Sequence, residues 1–329
     1  VRHRFGNTEE HEANAHACGK QHGEPAKIAI VRRGIIAAEA PELTVSISYR
    51  VLPQIKEYER TSTTVTNAYV KPLTGRYLSK LDGRLRAMGI EGRLFIMLSS
   101  GGITSVETAA EFPVRIIESG PTAAVIAGQY YGKLFDIPEM FCFDMGGTTA
   151  KLCVIDDGQP LLSRSFEVDR SYRFKKGSGL PVRIPVIEMV EIGAGGGSIA
   201  WVDKLNRLQV GPESAGSEPG PVCYARGGLN PAVTDADLLL GKLDPEGFAD
   251  GRMTLDRAAA AAAMNRAVGE RLGLNDVEAA YGVSEVVNEN MAAAGRAHLS
   301  EWGRGVAGRT LIAFGGAAPL HACTLASKL

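Results

Sequence analysis

The chain has 329 residues, and its 36 lysines and arginines nearly balance its 37 aspartates and glutamates. A chain this close to neutral gives no support for a nucleic-acid groove or an anionic membrane surface, so neither partner is expected. Its apolar fraction of 45% is sufficient for a folded core, and its length suggests two domains or one large two-lobed domain.

The cysteines and the amino-terminal segment give predictions about the compartment. Five widely spaced cysteines, with no C-x-x-C pair, indicate free thiols and favour a reducing cytoplasm. Residues 1–27 are polar and His-rich, and the amino terminus lacks the apolar core of a signal peptide. No stretch of 18 apolar residues occurs in the chain, so no membrane span is expected. This segment contains His11, His16, Cys18 and His22, whose spacing matches no metal-ligand pattern. A frayed or weakly helical terminus is therefore the prediction for it.

The first part of the chain predicts both strands and helices. Residues 42–51 show the β-branched alternation of a strand. Residues 64–89 carry apolar side chains at helical spacing, and Pro72 predicts a break in that helix. Residues 93–102 predict a buried strand followed by a turn, and residues 119–135 predict a helix with a capping serine at its start.

The second part begins at Met140 with three segments that predict consecutive antiparallel strands joined by tight turns. These segments read MFCFDMGG, AKLCVIDDG and PLLSRSFEV. Residues 171–232 are rich in glycine, proline and serine, with a strand pair predicted around residues 191–203. The remaining predicted elements are helices at 234–243, 257–268 and 277–300, a strand at 309–316 and a helix at 317–329.

A glycine-containing loop follows the first of these strands and reads DMGGTTAK from Asp144 to Lys151. Its glycines expose backbone N–H groups, which together form a concavity suited to an anion. Asp144 can hold a magnesium-bound water, and Lys151 can meet a phosphate as a point charge. The candidate phosphate donors are Gly146, Gly147, Thr148 and Thr149. A Gly-Gly hairpin turn explains the same residues without any ligand, so the loop alone leaves both interpretations open.

Two further glycine loops follow apolar strands. Residues 193–198 contain three consecutive glycines, although the residues after them look like a hairpin return. Gly315 and Gly316 join a strand to a helix, which lets a flat ring approach the backbone and an anion face the helix. A tight turn explains the same pair. No loop matches G-x-x-x-x-G-K-[ST] or G-x-G-x-x-G.

Three titratable side chains near these loops have competing interpretations. His321 lies beside the last glycine pair and is a candidate site residue, although packing or capping explains it equally well. Asp235 and Asp237 can bind a metal or cap the helix that begins near them, and capping is the preferred interpretation for both.

The order of motifs along the chain resembles the hydantoinase A/5-oxoprolinase family, which includes subunits of acetone and acetophenone carboxylases. The motifs are SGPTAAVIAG, FDMGGTTAKL, EIGAGGGSIAWVD, LQVGPESAGSEPGPVCYARGG, TDADLLLGKL and FGGAAPLHA. The resemblance runs from about residue 35 to the end. It implies an α/β fold of the actin-like ATPase type, in which two ribonuclease-H-like lobes close over ATP.

The resemblance also implies a domain organisation. Residues 1–34 form an atypical polar segment, and residues 35–135 are a remnant of the first lobe with its connecting helix. Residues 136–329 are the largely complete second lobe, with a Gly/Pro-rich insertion at 171–232.

The resemblance implies ATP-dependent opening of a cyclic amide of the hydantoin, N-methylhydantoin or 5-oxoproline type, by phosphorylation of the carbonyl oxygen. A ketone carboxylase subunit is the alternative. A hydantoinase B-like second subunit is the implied partner. Asp144 and Thr148 are the implied catalytic residues, and Asp144 also holds Mg²⁺ or Mn²⁺. The implied ATP-binding residues are Gly146, Gly147, Thr148, Thr149, Lys151, Gly315 and Gly316.

The sequence departs from the family pattern in two places. Family members carry another Asp-x-Gly-Gly-Thr loop in the first lobe, and residues 1–140 contain none, so the first lobe is expected to be truncated. We therefore expect this chain alone to bind ATP weakly or not at all, and a non-catalytic assembly subunit is a competing hypothesis. Lys151 stands where the oxoprolinase branch tends to carry an acidic residue, which favours the hydantoinase or carboxylase branch. A sugar kinase is a weaker option, because of the insertion at 171–232.

Overall fold

A computed structural model describes residues 34–36, 38–168 and 177–329. The predictions for residues 1–33, including the histidines and Cys18, lie outside these residues. The described part has a mixed α/β fold, as expected from the sequence. It divides into two compact units. The first unit runs to Ala123 and includes Leu162–Ile187, and the second comprises Ala124–Leu161 and Glu188–Leu329.

The helices, in chain order, are α1 (Ser48–Val51), α2 (Glu57–Ala87), α3 (Val106–Glu111), α4 (Ser119–Leu134), α5 (Val233–Leu239), α6 (Arg257–Met264), α7 (Glu270–Leu272), α8 (Asp276–Glu301) and α9 (Ala318–Lys328). Helical turns also occur at residues 34–36 and 38–39. Short 3₁₀ turns cover Pro113–Ile116 and Val222–Tyr224, and a π-helical turn covers Asn265–Gly269.

The strands, in chain order, are β1 (Phe95–Met97), β2 (Ile103–Ser105), β3 (Met140–Met145), β4 (Ala150–Asp156), β5 (Gln159–Pro160), β6 (Leu162–Ser163), β7 (Phe166–Val168), β8 (Leu180–Val182), β9 (Val186–Ile187), β10 (Met189–Ile192), β11 (Ser198–Val202), β12 (Leu208–Ser214) and β13 (Thr310–Phe314).

The first unit combines the long helix α2 with short antiparallel strand pairs. β1 pairs with β2, β6 with β9, and β7 with β8. A small apolar cluster fills this unit, and its buried members are Val51, Val114, Val182, Ile184 and Val186. The predicted strand at 93–102 is therefore present as β1, although it is short and only partly buried.

The predicted strand at residues 42–51 is wrong, because residues 48–51 form α1 and residues 44–47 are not assigned to a strand. Side chains of α2 donate hydrogen bonds to polar groups of this segment. Lys71 Nζ donates to the Val45 carbonyl at 3.1 Å, and Asn67 Nδ2 donates to Ser46 Oγ at 3.0 Å. The β-branched alternation was a valid local signal, but contacts with a distant helix decided the conformation.

The predicted helix break near Pro72 is also wrong, because α2 continues without interruption from Glu57 to Ala87. A proline inside a helix removes one backbone N–H and costs about 3 kcal/mol. Buried residues lie on both sides of Pro72 along α2, namely Thr63, Asn67 and Leu78. Packing of this face is the physical reason that the helix continues through the proline.

The second unit is built on a sheet with the strand order β10-β4-β3-β13, and β5 pairs with the end of β4. β3 and β4 are antiparallel, as predicted, whereas β13 lies parallel to β3. Phe141, Phe143 and Leu152 are fully or almost fully buried in this sheet. They belong to one apolar core with residues of α5, α6, α8 and α9, and the helices predicted in these regions are confirmed.

The predicted three-strand meander is only partly correct. β3 and β4 form the expected hairpin, but the third segment contributes only Pro160, the second residue of β5, to this sheet. β10 instead occupies the remaining edge of β4. Residues 191–203 contain the end of β10 and the whole of β11, but β11 pairs with β12, so β10 and β11 do not form a hairpin. The domain boundaries and the actin-like lobe assignment stay predictions.

Candidate functional site

The turn of the β3–β4 hairpin carries the predicted phosphate loop. Asp144 and Lys151 are directly opposed across the two strands, and the Gly146 N–H donates to the Thr149 carbonyl at 3.2 Å. Gly146, Gly147 and Thr148 are exposed, and a methyl group on either glycine would have no atom within 4 Å. Within the described residues, the N–H groups of Gly147 and Thr148 donate no hydrogen bond. The turn is therefore a hairpin turn that also presents backbone donors to open space.

The glycine turn after β13 lies beside this loop. β13 runs parallel to β3 with Phe314 opposite Asp144, so the carboxyl ends of both strands lie at the same edge of the sheet. The Ala317 N–H donates to the Met145 carbonyl at 3.0 Å. Gly315 has a φ of +85°, and a methyl group there would lie 2.6 Å from Asp144 Oδ1. The structure thus brings together the predicted site residues at 144–149 and 315–316.

The loop at residues 193–198, with its three consecutive glycines, packs against the backbone of the predicted phosphate loop. The sequence interpretation missed this role. The Gly196 N–H donates to the Gly146 carbonyl at 3.0 Å, and the Gly197 N–H donates to the Gly147 carbonyl at 2.6 Å. A methyl group on Gly195 would lie 2.6 Å from the backbone nitrogen of Thr148. The run of glycines was the only signal for this contact, because a side chain at these positions would separate the two loops.

Lys151 lies at the side of the phosphate loop. Its Nζ atom is 3.2 Å from Thr149 Oγ1 and 3.1 Å from Glu191 Oε1. The lysine side chain is 14% exposed, whereas that of Glu191 is 52% exposed. The ammonium group is thus held beside a predicted phosphate-binding hydroxyl, with a carboxylate as its counter-ion.

Asp235 and Asp237 have different roles, although both lie in α5. Asp235 accepts hydrogen bonds from the backbone N–H groups of Ala232 at 2.7 Å and Cys223 at 2.7 Å, so its predicted capping role is confirmed. Burial, followed by the Asp235 carboxylate, raises the pKa of Cys223. The capping prediction for Asp237 is wrong, because its carboxylate contacts side chains, with Lys242 Nζ at 2.9 Å and His321 Nε2 at 3.1 Å.

His321 is completely buried, in agreement with the packing interpretation of this residue. Its Nδ1 atom lies 3.2 Å from Asn288 Oδ1, and Asn288 Nδ2 donates to the Ser284 carbonyl at 2.7 Å. No local pattern indicates this polar network, because its members lie on α5, α8 and α9 and are far apart along the chain.

The predicted cation ligand, Asp144, contributes a single carboxylate to this arrangement. Among the described residues, no three His, Cys, Asp or Glu side chains are grouped to hold a metal. Mg²⁺ in nucleotide sites is commonly coordinated by several water molecules, by one or two carboxylates and by phosphate oxygens. Asp144 is partly buried near the end of β3, and its role as such a carboxylate stays a prediction. None of the described helices is both long and apolar enough to span a membrane.

Comparison with known proteins gives consistent matches. A family model described as hydantoinase/oxoprolinase matches residues 60–329. Caprolactamase subunit alpha of Pseudomonas jessenii is 38% identical over 295 residues, which are 90% of this chain and 41% of the relative. The chain spans less than half the length of the curated relatives that it matches first.

Two solved structures are also similar. The nucleotide-free structure of an acetone carboxylase, described as ATP-dependent, matches with a TM-score of 0.79 and 26% identity over 93% of this chain and 42% of that chain. The crystal structure of the ATP-dependent caprolactamase from Pseudomonas jessenii matches with a TM-score of 0.73 and 36% identity over 95% of this chain and 43% of that chain.

Proposed function

Because the chain belongs to the hydantoinase/oxoprolinase family, we propose that it is the nucleotide-binding part of an ATP-dependent enzyme that opens a cyclic amide. The observation that carries the proposal is the meeting of two glycine loops at the ends of the parallel strands β3 and β13. Ligands of open α/β sheets bind at the carboxyl ends of parallel strands. A similar protein described as an ATP-dependent caprolactamase supports the cyclic-amide class.

In this proposal each loop has a distinct task. The backbone N–H groups of Gly147 and Thr148 face the phosphates, with Gly146 shaping the turn, and the hydroxyls of Thr148 and Thr149 add donors. Lys151 contributes positive charge, and Asp144 holds the waters of Mg²⁺ or Mn²⁺. Gly315 and Gly316 let the adenosine approach the backbone. These groups position the phosphates and neutralise charge.

The chemistry of the reaction follows from the poor reactivity of amides. ATP would transfer its γ-phosphoryl group to the amide oxygen and leave as ADP, which makes the carbonyl carbon a better electrophile. Water would then add to that carbon, the ring C–N bond would break with the nitrogen taking a proton, and phosphate would be released. A hydantoinase B-like subunit would complete the substrate side, and the subunit designation of the similar caprolactamase chain supports such a partner. Free, buried cysteines support a reducing cytoplasm as the compartment.

A ketone carboxylase subunit is the second candidate. The match to a structure of acetone carboxylase favours it, since that fold similarity covers 93% of this chain. The same loops would serve either reaction, because both use ATP to activate a carbonyl compound. The substrate assay therefore has to include a ketone with bicarbonate beside the cyclic amides.

The test uses the protein as its gene encodes it, purified together with its partner subunit. ADP formation is measured with hydantoin, 5-oxoproline and caprolactam, and with acetone plus bicarbonate. We expect one cyclic amide to stimulate ADP formation, and Asp144→Asn and Thr148→Ala to lower that rate by about 10²-fold or more. Thr310→Ala is the matched control, because Thr310 is an exposed threonine at the opposite end of β13.

Each alternative has its own outcome in this experiment. Stimulation by acetone plus bicarbonate, and by no cyclic amide, would establish the carboxylase alternative. Full activity of both Asp144→Asn and Thr148→Ala would contradict the nucleotide role of the loop and support an assembly subunit.

A further inference from the structure

We infer that α5 is a positioning element that fixes the phosphate loop through Thr234 and the glycine turn after β13 through Asp237. Both residues are buried, and their spacing of three places them on one face of the helix. Neither belongs to the two loops themselves, so both act through other groups. The inference rests on the proposed nucleotide role of these loops.

The first half of this connection is a short chain of hydrogen bonds. Thr234 directs both its hydroxyl and its backbone N–H to the Gly196 carbonyl, at 2.8 Å and 2.7 Å. The N–H of Gly196 donates in turn to the Gly146 carbonyl at 3.0 Å. A methyl group on Gly196 would lie 2.8 Å from Thr234 Oγ1, so the contact leaves no space for a side chain. Thr234 therefore fixes the position of the 193–198 loop, and through the Gly196 N–H this loop fixes the position of Gly146.

The second half is the set of polar contacts around the buried Asp237 carboxylate. Its carboxylate meets His321 Nε2 at 3.1 Å and Lys242 Nζ at 2.9 Å, and Lys242 also donates to Ser284 Oγ at 3.0 Å. His321 lies in the first turn of α9, four residues after Ala317, whose N–H donates to the Met145 carbonyl. Loss of the Asp237 carboxylate would leave the buried His321 Nε2 atom and the Lys242 ammonium without this partner. Because His321 lies in the first turn of α9, these contacts hold the start of that helix in place.

The helix that joins the two halves is itself anchored at both ends. Asp235 binds the backbone at its beginning, as described above. At its end, the Arg257 guanidinium donates to the carbonyls of Leu238 and Leu239 at 2.6 Å and 2.8 Å. A helix fixed by these independent bonds can hold two loops at a constant separation. Such positioning matters because small displacements of phosphate donors weaken their interaction with the ligand.

The test compares Thr234→Val with Thr234→Ser in the 329-residue chain by NMR-detected amide hydrogen exchange. Valine removes the hydroxyl at nearly constant volume, so we expect the Gly196, Gly197 and Gly146 amides to exchange about tenfold faster. Serine retains the hydroxyl and should stay within about twofold of the native rates. Thr63→Val is the matched control, because Thr63 is a buried, hydrogen-bonded threonine of the first unit.

The second part of the test concerns the contact between Asp237 and His321 and uses two variants, Asp237→Asn and His321→Gln. If one of them fails to fold, the other still tests this contact. Either change should accelerate exchange of the Ala317 amide about tenfold, because that amide reports on the start of α9. Unchanged exchange at Gly196 in folded Thr234→Val, or at Ala317 in a folded variant of the second part, would overturn the inference.

A nucleotide titration of the gene-encoded protein separates this inference from the proposed function. Thr234→Val should raise the Kd for Mg-ATP about tenfold, and Thr234→Ser should restore it. Native affinity in Thr234→Val, together with loss of binding in Asp144→Asn, would overturn the positioning role and leave the proposed function intact. Faster exchange without any nucleotide binding in the native protein would contradict the proposed function and support the structural link.

Discussion

Single glycines near the site serve two different purposes. Gly195 and Gly315 are needed for close contact, since a methyl group on either would lie 2.6 Å from atoms of the phosphate loop or of Asp144. Gly146 and Gly147 face open space, where a methyl group would meet no atom within 4 Å. The first pair allows close contact between the loops, and the second pair leaves the backbone N–H groups of the candidate site exposed.

The buried thiols give a pH-dependent prediction at the residue scale. Burial raises the pKa of Cys142 to about 12 and raises the pKa of Cys153 well above 9.0. Between pH 9 and about 12, the unfolded chain loses these protons while the folded protein keeps them. The free energy of unfolding should therefore fall as pH rises in this window, by up to about 1.4 kcal/mol per pH unit for each thiol. Urea denaturation at pH 8 and pH 10 measures this change.

Alkylation provides the independent check on these thiols. At pH 8 the exposed Cys323 should react quickly, while Cys142, Cys153 and Cys223 should react only after denaturation. Rapid labelling of Cys142 in the folded protein, detected by peptide mass spectrometry, would contradict the prediction.

Among the elements of the second unit, α4 packs unusually close to β3. A methyl group on Gly128 would lie 2.8 Å from Cys142 Sγ. At Gly132, one turn later, a methyl group would overlap the end of the Met140 side chain and lie 2.8 Å from the Ile137 carbonyl oxygen. These glycines lower helix propensity, but they allow the helix to approach the strand that carries Asp144.

Gly132→Ala tests this close approach. Helix propensity alone favours alanine by about 1 kcal/mol, but the clash with a backbone oxygen cannot be relieved by a side-chain rotation. We expect a net loss of about 1–3 kcal/mol, which thermal or urea denaturation would measure. Gly120→Ala in the same helix is the matched control, since a methyl group there meets no atom within 4 Å. Equal or higher stability of Gly132→Ala would refute the argument.

At the scale of the whole molecule, the chain contains one predicted phosphate loop, at residues 144–149, and two compact units. It spans 41% of the caprolactamase subunit and 42% of the acetone carboxylase chain that it resembles. The resemblance described above implies a nucleotide held between two phosphate loops, and the sequence pattern of such a loop occurs once in these 329 residues.

We therefore predict that the 329-residue chain binds Mg-ATP with a Kd well above the micromolar range. Without the donors of the second loop that the resemblance implies, several charge-assisted hydrogen bonds would be missing, and each 1.4 kcal/mol of lost binding free energy weakens binding tenfold. Isothermal titration calorimetry measures this affinity, with a polypeptide that carries both loops as the positive control. Micromolar binding by the 329-residue chain would disprove the prediction.

Local patterns were sufficient to predict much of the second unit. The hairpin of β3 and β4, the strand β13 and the helices α8 and α9 were all expected from periodicity and glycine turns. The residues of the candidate phosphate loop were also identified from the sequence, because a loop of glycines and threonines after an apolar strand is a local feature. The ordered motifs identified the family, which the family model confirmed.

The sequence by itself determined which segments form the strands and turns of the candidate site, and to which family they belong. Only the tertiary structure decided that β13 lies beside β3, that residues 195–197 support the phosphate loop, and that Asp237 pairs with His321 instead of capping α5. It also kept α2 helical through Pro72. The physical reason is the same in each case: these outcomes depend on hydrogen bonds and packing between residues far apart in the chain, which no local pattern encodes.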